Sequence, residues 1–275
     1  MSQYRCSLIS YLKTLSPEAR RALYSLRAEY QRGVGGDDYE VILVLDDAAG
    51  ETADLRELGP NFRLIRFAHE YAPPWEAVNL AVGEARSTSV ICCTDGERIL
   101  SPGVVQYSLA ALNSCSHPLV YALDLDADLS AGDADGPWRG NGYLLFGAVD
   151  AGSRMPRGFF SRVQESSCFA MKKRHYIEFG GIDERFRLPC GGLGVADLFD
   201  RVEQDKRFSP ILLLGEAAFR QRPAKKRGLD ESCRQEYQSI RGRPFDPVYR
   251  RPSYYGWVCS DYHADLLSDP ETVAD

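Results

Sequence analysis

The turn Asp95-Gly96-Glu97 sets two carboxylates at i and i+2 directly after the apolar run Val90–Cys93. Carboxylates so spaced on a turn leaving a strand can face the same way, and Gly96 lets the backbone come close to a ligand. The chemistry that suits such a pair is holding a divalent cation that bridges to a diphosphate, because hard cations prefer oxygen ligands. A plain solvated turn has the same composition, so the pair does not decide by itself. A second acidic pair, Asp46-Asp47, closes a second apolar run, Val41–Leu45.

The elements that must position these turns alternate between strand and helix. Cys6–Ser10 is a short apolar strand, and Ser16-Pro17 starts a helix whose Ala19, Ala22, Leu23, Leu26 and Tyr30 recur at helical spacing. Val41–Leu45 is aliphatic and β-branched throughout, as expected for a strand buried on both faces of a parallel sheet. Phe62–Phe67 is a third strand, Trp75–Arg86 a helix and Val90–Cys93 a fourth strand. Ser101 as N-cap with Pro102 at the first helical position predicts another helix. The alternation predicts a doubly wound α/β sheet, in which ligands bind beyond the carboxyl ends of the strands. Both acidic pairs fall there. Further on, Leu119–Leu123 reads as a strand, 124–135 as an exposed acidic loop and Tyr143–Phe146 as a strand. Glu165–Met171 is a strand leading into a helix at His175–Phe179, Asp197 sits on a helix, and Ile211–Leu214 is the last clear strand.

Composition narrows the function classes. Hydrophobic residues at 44% and charged residues at 26% are ordinary for a globular protein. No apolar run approaches the roughly 18–20 residues that span a bilayer, and the N-terminus lacks a signal-peptide pattern, so a cytoplasmic protein without a transmembrane segment is expected. The eight cysteines form no CxxC pair and the four histidines are scattered, which favours reduced structural thiols over a zinc site. Residues 220–251 carry ten Lys/Arg against four Asp/Glu, a balance of +6; with the whole chain at −6, the remainder is at −12. An acidic body with one basic segment is a poor nucleic-acid binder and suits a small polyanion such as a nucleotide diphosphate.

The order of motifs resembles the GT-A glycosyltransferases of family 2 over roughly residues 6–256. The turn Val44-Leu45-Asp46-Asp47, Asn79 in the helix before the acidic turn, Asp95-Gly-Glu97 with Leu100-Ser-Pro-Gly103, and Gly180-Gly-Ile-Asp-Glu-Arg-Phe186 follow the family order. A narrower subset is matched by Asp95–Gly103, by Glu165-Ser-Ser-Cys168 and by Gly191-Gly-Leu-Gly-Val-Ala-Asp197. The resemblance implies a single GT-A domain with a doubly wound mixed sheet. Its nucleotide-binding half would be about 1–103 and its acceptor half about 104–219, with a basic segment at 220–256 and a tail at 257–275. It implies transfer of a sugar, with inversion, from a nucleotide-sugar (a UDP-sugar first) to a small-molecule or glycan acceptor. Ser10, Tyr11, Asp46, Asp47, Asn79 and Asp95 would bind the nucleotide-sugar, and Asp95 and Glu97 would hold Mn2+ or Mg2+. Tyr11 is equally an ordinary rim aromatic and Asn79 a tether.

Two departures stand out against the family pattern. In Gly215-Glu-Ala-Ala-Phe-Arg-Gln-Arg222, Arg220 and Arg222 occupy the histidine positions of the subset. Guanidinium pairs with phosphate in bidentate fashion, so these arginines are candidates to clamp the diphosphate. The Glu-Asp pair that supplies the family's general base falls on Gly194-Val195. Asp197 is the leading replacement base, with Glu165 and Asp183 behind it. The alternatives are a non-catalytic GT-A module that binds a nucleotide or a protein partner and, further off, a nucleotidyltransferase of similar fold.

Overall fold

A computed structural model gives the architecture; residues 4–46, 58–68, 75–126, 166–188, 193–221, 231–246 and 253–255 are described. The elements run β1 (Cys6–Leu12), α1 (Pro17–Ser25), β2 (Tyr39–Asp46), β3 (Phe62–Phe67), α2 (Trp75–Glu84), β4 (Ser89–Cys93), β5 (Arg98–Leu100) and α3 (Val104–Leu112). Then come β6 (Pro118–Asp126), β7 (Cys168–Lys172), α4 (Lys173–Glu178), α5 (Leu193–Gln204), β8 (Ser209–Arg220), α6 (Glu231–Arg241) and β9 (Ser253–Tyr255). Among the described residues, one mixed sheet of nine strands has the order β3-β2-β1-β4-β7-β6-β8-β5, with β9 added to β8. The pairs β1–β2, β2–β3 and β1–β4 are parallel, the pairing expected of the first half. β7 and β5 run antiparallel to their neighbours and make the second half mixed.

Successive side chains of a strand point to opposite faces, and β1 shows it. Ile9 and Tyr11 enter a core shared with α2, α5 and α6, while Cys6, Leu8 and Leu12 enter the opposite core with α1 and α3. The continuous apolar run in β2 divides in the same way, which is why it has no polar face.

Several predicted boundaries move, each for a local reason. The first helix stops at Ser25 instead of reaching Tyr30: the Ser25 hydroxyl donates to the Ala22 carbonyl, and the Gln31 amide captures the Ser25 carbonyl at 2.7 Å. Such side-chain bonds compete with the helix ladder. The predicted cap Ser16 is in place, its hydroxyl accepting from the Ala19 amide at 3.0 Å. Ser101 does not cap α3. It donates to Glu216 at 2.5 Å and accepts from the Ala217 amide, so the helix starts later, at Val104. Residues 98–100 form β5, a strand absent from the sequence expectation, because β8 continues past Leu214 to Arg220 and offers a ladder on both sides. Asp124, expected in an exposed loop, lies inside β6. The predicted strand Tyr143–Phe146 lies outside the described residues.

Cys6, Cys92, Cys93, Cys115 and Cys168 are free thiols as expected, whereas Cys233 is disulfide-bonded. Among the described residues, no helix is long and apolar enough to cross a membrane.

Candidate functional site

The carboxyl ends of β1, β2 and β4 lie side by side, with β1 between the other two. Here the strand order reverses, since β2 and β3 extend to one side of β1 and β4 continues on the other. Such a switch point opens a crevice at the strand ends. Ser10 is buried on β1, and Tyr11 and Asp46 are nearly so at the ends of β1 and β2. Burial, reinforced by the nearby Asp46 charge, pushes the Tyr11 phenol up to about 12. The acidic turn is fastened to the same edge: the Gly96 amide donates to the Tyr11 carbonyl at 2.9 Å. A Cβ at Gly96 would lie 2.2 Å from that carbonyl oxygen, so only glycine fits the contact.

The two carboxylates of the turn do not converge. Asp95 accepts Arg98 Nε at 3.0 Å and the Glu97 amide at 3.3 Å. Glu97 is exposed and accepts the Ser16 hydroxyl at 2.8 Å, which draws it toward the start of α1. The Glu97 carbonyl accepts from Gln221, which also donates to the Glu18 carbonyl and accepts Arg21 Nε at 2.7 Å. Arg98 reaches on with Nη2 to Asp124 at 3.2 Å. Asp124 is fixed by the Ser167 hydroxyl at 2.9 Å and the Ser167 amide at 3.3 Å. Burial pushes the Asp124 carboxyl up, against the pull of Arg98 and Ser167. Arg220 ends β8 opposite Arg98 in the β5–β8 register and opposite Asp126 in the β6–β8 register.

Asp95 and Glu97 therefore do not fit the expected Mn2+ or Mg2+ as a pair. One is bound to a guanidinium and the other is turned away. Among the described residues, no three His, Cys, Asp or Glu side chains group so as to hold a metal ion.

Asn79, Asp183 and Asp197 come together elsewhere, in a polar clamp between α2, α5, α6 and the turn after α4. Asn79 donates to the Ile182 carbonyl at 2.8 Å and to Glu184 at 2.9 Å, and accepts from the Tyr176 hydroxyl and the Ile182 amide. Gly181 has φ +68°, and a Cβ there would sit 2.5 Å from the Asn79 carbonyl oxygen. Asp197 is fully buried and accepts Arg201 Nε at 2.8 Å and Arg241 Nε and Nη2 at 2.5 Å each. Arg201 also donates to the carbonyls of Phe179 and Gly181. Arg241 bridges on to Asp183 at 2.8 Å. Arg185 caps Asp183, and its hydrogen bonds hold that carboxyl down at about 2, with Arg241 adding to the effect. A carboxylate paired in this way is a weak proton acceptor. At Gly194, where the resemblance would place the general base, a Cβ would lie 2.9 Å from the Trp75 indole, so an acidic side chain has no room without a shift of the tryptophan.

Asp47, Glu165 and Arg222 lie outside the described residues. The residues that sequence reasoning missed at the edge are Arg98, Asp124, Ser167 and Gln221. A charged residue inside an apolar run, such as Asp124 after Tyr121-Ala-Leu123, was the available signal.

No protein-family model matches the chain, and no curated protein matches it in sequence. Solved structures do match in fold. The mannosyltransferase PcManGT from Pyrobaculum calidifontis, in complex with GDP-Man and Mn2+, gives a TM-score of 0.55 at 14% identity over 90% of this chain and 66% of that one. S. aureus TarS 1-349 in complex with UDP-GlcNAc gives 0.56 at 11% identity over 86% of this chain and 65% of that one. The chain spans 37% of the longer S. aureus TarS structure. At identities this low the likeness shows the fold alone: the chain has the α/β fold of solved structures that include a mannosyltransferase in complex with GDP-Man.

Proposed function

We propose that the chain is a nucleotide-sugar-dependent glycosyltransferase of the GT-A type, similar to family 2, that moves a sugar to a small-molecule or glycan acceptor with inversion. The observation that carries this is the meeting of Tyr11, Asp46 and the Asp95 turn at the switch point of the sheet. In the proposed complex the base and ribose of a nucleotide, uridine first, lie against Ser10, Tyr11, Asp46 and Asp47. Asp95 faces the ribose and diphosphate. Arg220 and Arg222 approach the phosphates, where a guanidinium offsets the charge left on the departing nucleoside diphosphate.

The transfer requires the acceptor oxygen to attack the anomeric carbon while the bond to the diphosphate oxygen breaks. The acceptor proton passes to a carboxylate base. Asp183 and Asp197 hold arginines, so Glu165 is the base to test first. It directly precedes Ser166 and Ser167, and Ser167 bonds to Asp124. The occupied Asp183 and Asp197 also favour a second reading, a nucleotide-binding module without turnover.

A panel of UDP-, GDP- and dTDP-sugars, followed by thermal shift and by sugar release, separates the two. An enzyme is stabilised by one donor, releases its sugar slowly to water, and loses release but not stabilisation in Glu165→Gln. Stabilisation with no release from any donor supports the module. No response to any donor overturns both.

A further inference from the structure

We propose that Arg98 is the resident cation of the acidic turn, held where a divalent ion would otherwise bridge the carboxylates, so that this site takes up a nucleotide diphosphate without a metal. The nucleotide half of the inference rests on the function proposed above. The metal half stands on the geometry alone.

The Arg98 side chain is only 6% exposed and spans two carboxylates from different strand ends, Nε to Asp95 at 3.0 Å and Nη2 to Asp124 at 3.2 Å. Each part of this bridge is fixed by the fold. Arg98 starts β5, whose backbone pairs with β8. Asp124 is locked into β6 and tied by two bonds to Ser167. The turn carrying Asp95 is pinned by the Gly96 amide on Tyr11. A metal ion placed between Asp95 and Asp124 would have to displace this buried guanidinium, although the Asp95 side chain itself is 43% exposed. The remaining acidic group of the turn, Glu97, is exposed and accepts the Ser16 hydroxyl at 2.8 Å. Arginine suits this place because its planar fork can serve two carboxylates at once and its charge does not titrate away. Arg220, across the β5–β8 ladder, brings a second positive residue to the same edge.

The test is Mn2+ binding to the full chain, read by electron paramagnetic resonance, together with UDP affinity in EDTA and in Mn2+. Wild type is expected to show no stoichiometric Mn2+ site, and its UDP affinity to be the same with and without the metal. Arg98→Gln is expected to gain one Mn2+ site that disappears again when Asp95→Asn is added. A wild-type Mn2+ site abolished by Asp95→Asn overturns the proposal, and so does a rise in UDP affinity of about tenfold or more on adding Mn2+. Should Arg98→Gln fail to fold, the wild-type titration still decides. If UDP binds under neither condition, the proposed function falls while the Mn2+ result continues to judge Arg98.

Discussion

Gly96 illustrates how little freedom the candidate site has at the level of one residue. Its amide is bonded to the Tyr11 carbonyl, and a methyl group would be driven into that same oxygen at 2.2 Å. Overpacking of this kind costs about 1–3 kcal/mol. Gly96→Ala is therefore expected to lower unfolding stability by roughly that amount in urea titration, and to weaken nucleotide binding because the turn must lift from β1. A stability equal to wild type would show that the turn is not held as described. The acidic turn was legible in the sequence because an acidic pair after an apolar run is a local pattern. Its internal wiring was not. Glu97 is bound by Ser16 from a distant part of the chain, and Arg98 is defined by Asp124, a residue whose neighbours suggest a loop. Partners brought together only by sheet pairing leave no spacing to read.

At the scale of elements, the motif Gly180–Phe186 and the helix bearing Asp197 form a clamp of buried charge. Removing one partner of a buried ion pair typically costs about 3–5 kcal/mol, because the other charge is stranded. Asp197→Ala is expected to lose about that much stability, measured by denaturant unfolding, while keeping its nucleotide affinity within about twofold. Loss of binding at unchanged stability would return Asp197 to the site. Acid titration probes the same clamp. The Asp183 carboxyl is held at about 2 against an ordinary 3.8. The folded state therefore binds that proton more weakly than the unfolded chain. Its contribution to stability is present above pH 3.8 and is lost as the pH falls toward 2. In Arg185→Ala the loss is expected to be smaller and to end at a higher pH, because the folded carboxyl rises toward 3.8 while the unfolded one is unchanged; a loss of the same size over the same pH range would contradict the pairing. The sequence pointed to these elements but suggested catalysis, because a carboxylate near a helix start looks the same whether it faces substrate or an arginine 44 residues later in the chain.

Over the whole molecule, the parallel first half was legible almost strand by strand, since apolar runs broken by helical spacing specify β-α-β units with little ambiguity. In the mixed second half the apolar runs of β6, β7 and β8 were legible as strands, but their pairing was not. β5 has three residues and is stabilised by β8, and β7 enters antiparallel between β4 and β6. Neither fact is local. What the architecture delivers is a switch point that gathers Tyr11, Asp46 and Asp95 at the carboxyl ends of β1, β2 and β4, inside the sheet. The measurement that tests this most directly is calorimetric titration of UDP into the full chain and into Asp46→Ala. One site in the wild-type chain, weakened about tenfold or more in the variant, is the predicted result. Absence of binding to UDP, GDP and dTDP alike, or UDP binding that is indifferent to Asp46→Ala, would contradict it.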